Sequence, residues 1–458
     1  MRLAGTPISP YRLYLAIECG MSFLLGITYA TIMVYWVTSG RLNPLQLLLL
    51  GTSLEVSYFV FQLPTGVLAD LVSRRLCVIS GLGIIGLSLV LQGLSPSFGN
   101  LMAGQALLGL GAALQNGAEE AWIADELGED QMTSVYLRAT QLGLIATVGG
   151  SLLSGVIALA GLNVPLLLGG GLICMLAAAL PFVMPEHNFR PAGLGRERIG
   201  SVARQAAGLL STQTRSARRA IVAIPGLVLI FAMTLFVGLW SESFDRLWGA
   251  FLLRDIRFPK VDGLHPAMWF SLLAGIVALL ALGATEVAKR RTQRLGADSV
   301  VGALVVLTVG IGAAVVIMAR AHVFVIAVAA YLAVEVLRPV IDPLVTGWMV
   351  GRLEPSVRAT ALSGKEMFDS AGQIISGPIV GSIGTLASIR AGLLAGSAAL
   401  APAVACLTIA SRRIRPRVAR DTSAADGSAT DTVSGDLAAS SIELADGAVG
   451  DAALGDTA

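Results

Sequence analysis

The chain is a succession of long apolar runs separated by short polar breaks. The runs cover residues 11 to 37, 44 to 70, 75 to 95, 99 to 125, 134 to 160 and 164 to 184, then 221 to 250, 266 to 288, 297 to 319, 322 to 350, 357 to 385 and 388 to 411. A spanning helix needs about 20 apolar residues, and each run reaches that length. Lipid admits only helices and closed barrels. Continuous runs, not alternating ten-residue segments, select helices. The pattern therefore predicts an all-α membrane protein with twelve transmembrane helices in two six-helix bundles.

Polar breaks divide the chain into five parts: a cytoplasmic N-terminus over 1–10, a first bundle over 11–184, a basic linker over 185–220, a second bundle over 221–411 and a tail over 412–458. Arg196, Arg198, Arg204, Arg215, Arg218 and Arg219 stand among small and apolar residues in the linker. This spacing predicts an interfacial amphipathic helix. The tail is basic to Arg420 and acidic after it, and is too poor in apolar residues to fold. A faint internal echo suggests parallel repeats. Trp122, Leu127, Arg138-Ala-Thr140 and Ser154-Gly155 are matched by Trp348, Leu353, Arg358-Ala-Thr360 and Ser376-Gly377.

Composition agrees with the pattern. Hydrophobic residues make up 55% and charged residues 14% of the 458, with mean hydropathy +0.76. The last 38 residues hold eight acidic and no basic residues, so a formal charge of +2 leaves an excess of ten positive charges on the rest. Arginines cluster in alternate loops, which places both termini in the cytoplasm and makes nucleic acid an unneeded explanation for the positive charge. Cys19, Cys77, Cys174 and Cys406 all lie inside apolar runs, so no disulfide framework or metal site is expected. The first run lacks a cleavage site after a short core and is expected to remain. With 29 arginines against 3 lysines, and Ala and Gly abundant, the composition points to a bacterial plasma membrane.

The break between the second and third runs reads Gly66-Val-Leu-Ala-Asp70-Leu-Val-Ser-Arg74-Arg75. It resembles the signature loop of the major facilitator superfamily of secondary transporters, with Leu71 where that family usually has Arg and Ser73 where it usually has Gly. In the fourth run Gln105, Gly109 and Gly111 resemble the superfamily's fourth-helix motif, with Gln105 in place of its arginine. In the eleventh, Gly377, Pro378 and Gly381 resemble the core of an antiporter motif. The resemblance implies the two-bundle fold and alternating access, and within the family it is to drug and proton antiporters. It also implies that Gly66, Asp70, Arg74 and Arg75 form a conformational latch against the opposite half. An ordinary positive-inside turn is the plainer reading of the same residues.

Ionisable residues within the runs carry most of the chemistry. Each costs roughly 2.5–3.5 kcal/mol or more at the bilayer centre unless paired or wet. Spacing of three or four along one helix predicts the pairs Glu335 with Arg338, Lys365 with Asp369, and Glu242 with Arg246, with Asp342 nearby. Glu55 and Glu18 have no basic neighbour on their own helix. A buried, unpaired carboxyl can exchange a proton near neutral pH, so Glu55 and then Glu18 lead the proton-coupling candidates, with Glu119, Glu335 and Asp369 behind them. Tyr29, Tyr58, Gln62, Gln115, Asn116, Trp240 and Gln373, together with Trp269 and Tyr331, are candidates to line a substrate cavity. Tyr35 and Trp36 are assigned to an interfacial belt.

These features predict a proton-coupled secondary transporter that exports small hydrophobic or drug-like compounds, acting as a monomer with no cofactor and no metal. The expected partners are the bilayer, a small-molecule substrate, and protons or another coupling ion. An importer of a sugar, organic acid or peptide is the alternative, and a transport-fold sensor or membrane enzyme a remote one. His187, His265 and His322 form no H-E-x-x-H pair, and Gly364-Lys365 lacks the upstream glycine of a phosphate-binding loop.

Overall fold

The computed structural model describes residues 9–189, 225–292, 297–353 and 355–413, together with Gly208. The first eight residues, most of the basic linker and nearly all of the tail lie outside the described residues. The described chain is helical throughout its crossings: α1 Pro10–Val34, α2 Pro44–Leu71, α3 Arg74–Leu94, α4 Phe98–Gln115, α5 Ala118–Leu127, α6 Met132–Ile157 and α7 Val164–Val183 in the first half. The second half contains α8 Pro225–Asp255, α9 Pro266–Thr292, α10 Ala297–Arg320, α11 Phe324–Val350, α12 Pro355–Leu386, α13 Ile389–Ala398 and α14 Leu400–Arg413. Helices α4 and α5 share one crossing, broken at Gly117 with its φ of +78°, and α13 with α14 share another. Among the described residues, ten segments are long and apolar enough by themselves to cross a membrane. The remaining crossings are α4 with α5, rich in glycine and amides, and the charged α12.

Helix starts are set by local chemistry. Asn43 and Gln46 form a reciprocal capping box ahead of Pro44. The hydroxyl of Ser73 accepts from Leu76 N at 3.0 Å, capping α3 from the residue before Arg74. Residues Tyr35–Ser39 continue α1 as a single π-helical turn.

The two halves repeat each other at atomic detail. On α6, a β-carbon added to Gly150 would lie 2.1 Å from Phe23 O and 3.1 Å from Ile27 N of α1. On α12, one added to Gly372 would lie 2.0 Å from Leu235 O and 2.8 Å from Leu239 N of α8. Ser154 meets Thr31 at 3.0 Å, and Ser376 meets Ser243 at 2.8 Å. Small residues at these crossings let backbones approach closely. The sequence echo at Ser154-Gly155 and Ser376-Gly377 is thus the visible part of a matched helix crossing.

Among the described residues, the two halves meet at one end and toward mid-helix. A single apolar core at the end away from Pro10 and Arg413 contains Trp36, Leu47 and Leu50 of the first half with Trp240, Phe251 and Phe270 of the second. Toward the other end each half has its own core, one around Ile17, Leu82 and Trp122, the other around Phe231, Leu304 and Trp348. Hydrogen bonds between described residues of the two halves fall at the joined end or toward mid-helix: Leu45 N to Thr385 Oγ1 at 2.9 Å, Arg254 to Leu42 O at 2.6 Å, and Thr52 to Ile374 O at 3.5 Å. At the other end Val60 and Met367, 55% and 38% exposed, line an open cleft. Among the described residues, the helical bundle is closed where α1 ends and open where it begins.

Candidate functional site

Behind the closed end, α8, α11 and α12 enclose a cavity of about 290 Å³ lined by Trp240, Arg338, Asp342, Lys365, Asp369 and Gln373 among others. It continues past Glu366 into a cleft between α2 and α12, where Phe59, Val60, Leu63 and Met367 supply an apolar wall. Polar floor and greasy wall therefore adjoin.

Arg338 grips Asp245 of α8 through both terminal guanidinium nitrogens, at 2.5 and 2.8 Å, and its charge lies over the Trp240 ring at 5.6 Å. This corrects the expected pairing with Glu335, which shares a helix face with Arg338 and is left without a salt bridge among the described residues. Lys365 likewise does not pair with Asp369. It contacts Asp342 at 2.6 Å and Glu366 at 2.8 Å, and Asp369 instead accepts from Gln373 at 2.7 Å. In both cases a partner on another helix or beside the residue displaces the neighbour one turn away, because a bidentate or short contact outweighs an i,i+4 pair worth only about 0.2–0.5 kcal/mol.

Glu242 does bind Arg246, at 2.7 Å, with both side chains largely buried. The pair lies in the seam between the halves. Gly51 of α2 makes room for it, since a β-carbon there would stand 1.5 Å from Glu242 Oε1 and 2.7 Å from Arg246 Nε. Arg246 also lies 5.5 Å from the Trp36 ring centre. Trp36 is 1% exposed and Tyr35 3%, so neither belongs to an interfacial belt. Both are core residues, and Tyr35 donates to Gln92 O at 3.0 Å. Glu55, one turn from Gly51, has Ser370 beside it and feels the charges of Glu242, Arg246 and Asp369. It makes no salt bridge with any described residue.

Other candidates separate into groups. Asn116 and Gln62 both donate to the Tyr58 hydroxyl, at 3.2 and 3.4 Å, on the first-half wall of the cleft. Tyr29 is 43% exposed toward a second cavity between α1, α6, α9 and α11. Gln115 turns away from the cavity and donates to Glu119 at 2.7 Å. Tyr331 is 4% exposed, stacked on Trp248 with ring centres 4.1 Å apart. Trp269 packs edge-on against Phe324 at 5.1 Å. Trp269 is a packing residue, whereas Tyr331 also takes part in lining that second cavity. Gln105 donates to the buried Gln92 at 2.9 Å. Gly109 lies against Leu54 and Ser57, Gly111 against Gly81 and Ile85, Gly377 against Thr52, and Gly381 against Leu45.

The clasp holds its own half together. Arg74 ion-pairs with Asp125 of α5, donates to Ala121 O at 2.8 Å and reaches Asp70 at 3.6 Å. Ser73 and the Arg75 backbone N–H donate to Glu186 at 2.7 and 3.0 Å, and Arg75 bonds Pro181 O. In this state the described contacts of Asp70 and Arg74 are within the first half, not across to the second. Gly66 has open space around it.

Three features went unseen in the sequence: Asp245 as the partner of Arg338, Gly51 as the recess for Glu242, and Trp36 beside Arg246. Each depends on a contact between helices, which spacing along one helix does not carry. For Asp245 alone a signal existed, as an unmatched acid in an apolar run requires a base somewhere.

Two pseudo-repeated bundles, joined at one end over a polar cavity with an apolar approach, are the architecture of a membrane transporter. A model of the Major Facilitator Superfamily matches residues 17–247, just over half the chain, and the chain belongs to that family. The uncharacterized MFS-type transporter YxaM of Bacillus subtilis (strain 168) is 26% identical over 131 residues, 29% of this chain and 33% of that protein, so the match spans about a third of the relative's length. Among solved structures, a bacterial homolog to the human lysosomal transporter Spinster, inward-facing and unoccupied, aligns with TM-score 0.68 at 16% identity over 89% of this chain and 98% of that one. The nucleoside transporter NupG aligns with TM-score 0.68 at 13% identity over 87% and 98% of the two chains. A POT family transporter in complex with 5-aminolevulinic acid gives TM-score 0.68 at 12% identity over 90% and 98%. At these identities the likeness is one of fold.

Proposed function

We propose that the chain is a proton-coupled exporter of small hydrophobic or drug-like compounds, working by rocking of its two halves about the central cavity. The reading places both termini in the cytoplasm of a bacterial cell, on the distribution of loop arginines, and the open end therefore faces inward. One observation carries it. Glu55 at the interface, Asp369 in the cavity lining and Glu335 beside Asp245 make no salt bridge among the described residues, while their neighbours Asp245, Asp342 and Glu242 are matched to Arg338, Lys365 and Arg246. Unmatched carboxyls in such a setting are suited to take up and release protons. The apolar wall from Phe59 to Met367 supports a hydrophobic substrate that enters from the inner leaflet.

Cells expressing the gene should survive a panel of lipophilic compounds better than control cells, and should lose that advantage when the proton gradient is collapsed. Uptake of a small polar metabolite is the second reading, favoured by the opposite charges that Arg338, Lys365 and Asp369 bring to the cavity. Substrate-dependent growth with no resistance would select it and remove export.

A further inference from the structure

A second group of acids lies within the first half, apart from the cavity. Glu119, in the first turn of α5, is 6% exposed. Its Oε2 accepts from Gln115 at 2.7 Å, and its Oε1 is buried with no donor among the described residues. The carboxyl of Glu18, from α1, lies within side-chain hydrogen-bond reach of the Glu119 carboxyl. The groups that face this pair are Tyr14 from α1, Gln115 from α4, Glu120 from α5 and Tyr136 from α6. Tyr58 of α2 feels the charge of Glu120. Arg74 of α3 is the basic group gripping α5, and it binds further along at Ala121 O and Asp125.

Two carboxylates are both pure acceptors and cannot bond to one another. With one proton between them, an O–H of one donates to the oxygen of the other, a charge-assisted bond of the strong kind. We infer that Glu18 and Glu119 form a shared-proton site in the first half, and that loss of the proton loosens α5 from α1. In protonation, hydronium gives its proton to one carboxylate oxygen and leaves water. In deprotonation the proton returns to water, and two facing anions remain. Half-buried Glu18 is the side of the pair nearer the solvent.

Helix α5 makes this proton consequential. Its ten residues carry Glu119 to Glu18, Trp122 to Pro185 O at 2.7 Å, Asp125 to Arg74, and Glu126 to the backbone of His187 at 2.7 Å. One short helix thus connects the acid pair, the clasp and the start of the linker. The site deepens the proton-coupled reading but does not involve Glu55, so each can fail without the other.

The test is infrared titration of the full chain in liposomes, reading the protonated-carboxyl band, for wild type, Glu18→Gln, Glu119→Gln and the double variant. Either single glutamine should abolish the band given by the pair, because an amide N–H donates to the remaining carboxylate and no proton is held. The double variant should lose nothing more. Additive losses, with each single variant keeping half the signal, would overturn the shared proton. Amide exchange over residues 118–127, corrected for its intrinsic pH dependence, should be several-fold less protected at high pH in wild type and pH-independent in Glu119→Gln. Equal protection at all pH in wild type would overturn the link to α5. Unchanged melting temperatures show that the variants fold. If these results hold while substrate moves no protons in wild type, the acid pair stands and the proton-coupled reading falls.

Discussion

The carboxylate of Glu242 occupies the place that a side chain on Gly51 would need, with Oε1 1.5 Å from the position of the missing β-carbon. The second half thereby inserts a buried ion pair into the first, and the closed end depends on a residue with no side chain. Gly51→Ala should force the pair out at a cost of about 1–3 kcal/mol, the usual penalty of overpacking. Transport should fall at least tenfold and the outer end should become accessible to cysteine reagents. Gly20→Ala, where nothing lies within 4 Å, should behave as wild type.

The seam also predicts a lock. A β-carbon on Gly381 would lie 3.0 Å from Leu45 Cα, so cysteines at 45 and 381, in a background without the four native ones, should form a disulfide across the halves. Oxidation should stop transport, and reduction should restore it. Transport that continues with the bridge intact would show that this end does not open.

Asp245 and Arg338 provide a charge test. Their contact is bidentate and partly exposed, with side chains 37% and 33% accessible, so its value lies more in geometry than in stability. Arg338→Lys, which keeps the charge and loses the fork, should weaken substrate binding by roughly tenfold. Asp245→Asn should do at least as much, leaving a guanidinium unmatched in the cavity. Exchanging the two residues should recover part of the loss, and equal binding by all four proteins would take the pair out of the site.

Asp70 and Asp125 both reach Arg74, at different depths. Asp70 is 61% exposed at its side chain and Asp125 29%. Asp125→Asn should lower the melting temperature by several degrees, because it removes the ion pair and leaves Arg74 held to α5 by the Ala121 O hydrogen bond alone. Asp70→Asn should fold normally and lose transport, as expected of a latch engaged in the other state of the cycle. Normal transport rates in Asp70→Asn would remove the latch.

The crossings were legible because apolar length is a property of consecutive residues. Most boundaries lie within a few residues of the runs; α8, with Asp255 at its end, runs about a turn longer. The break at Gly117 was hidden, since Asn116-Gly117 interrupts a crossing without ending it. Glu55 could be singled out because no base lies at a useful spacing from it, whereas Asp369, four residues from Lys365, reads as paired until Asp342 and Glu366 take the lysine. The partners of Arg338 and Lys365 could not, because α8 meets α11, and α11 meets α12, only after the chain folds. Trp36 was misplaced for a related reason. Its position near the end of α1 suits an interfacial residue, and only the approach of α8 buries it.

Proton coupling at Glu55 is the central claim, and substrate-driven proton flux in proteoliposomes tests it most directly, with wild type compared to Glu55→Gln. Addition of a transported compound should drive protons in the opposite direction in wild type. In Glu55→Gln that flux should vanish while exchange of substrate for substrate across the membrane continues. Equal proton movement in the two proteins, or substrate transport by wild type with no proton movement, would contradict the account.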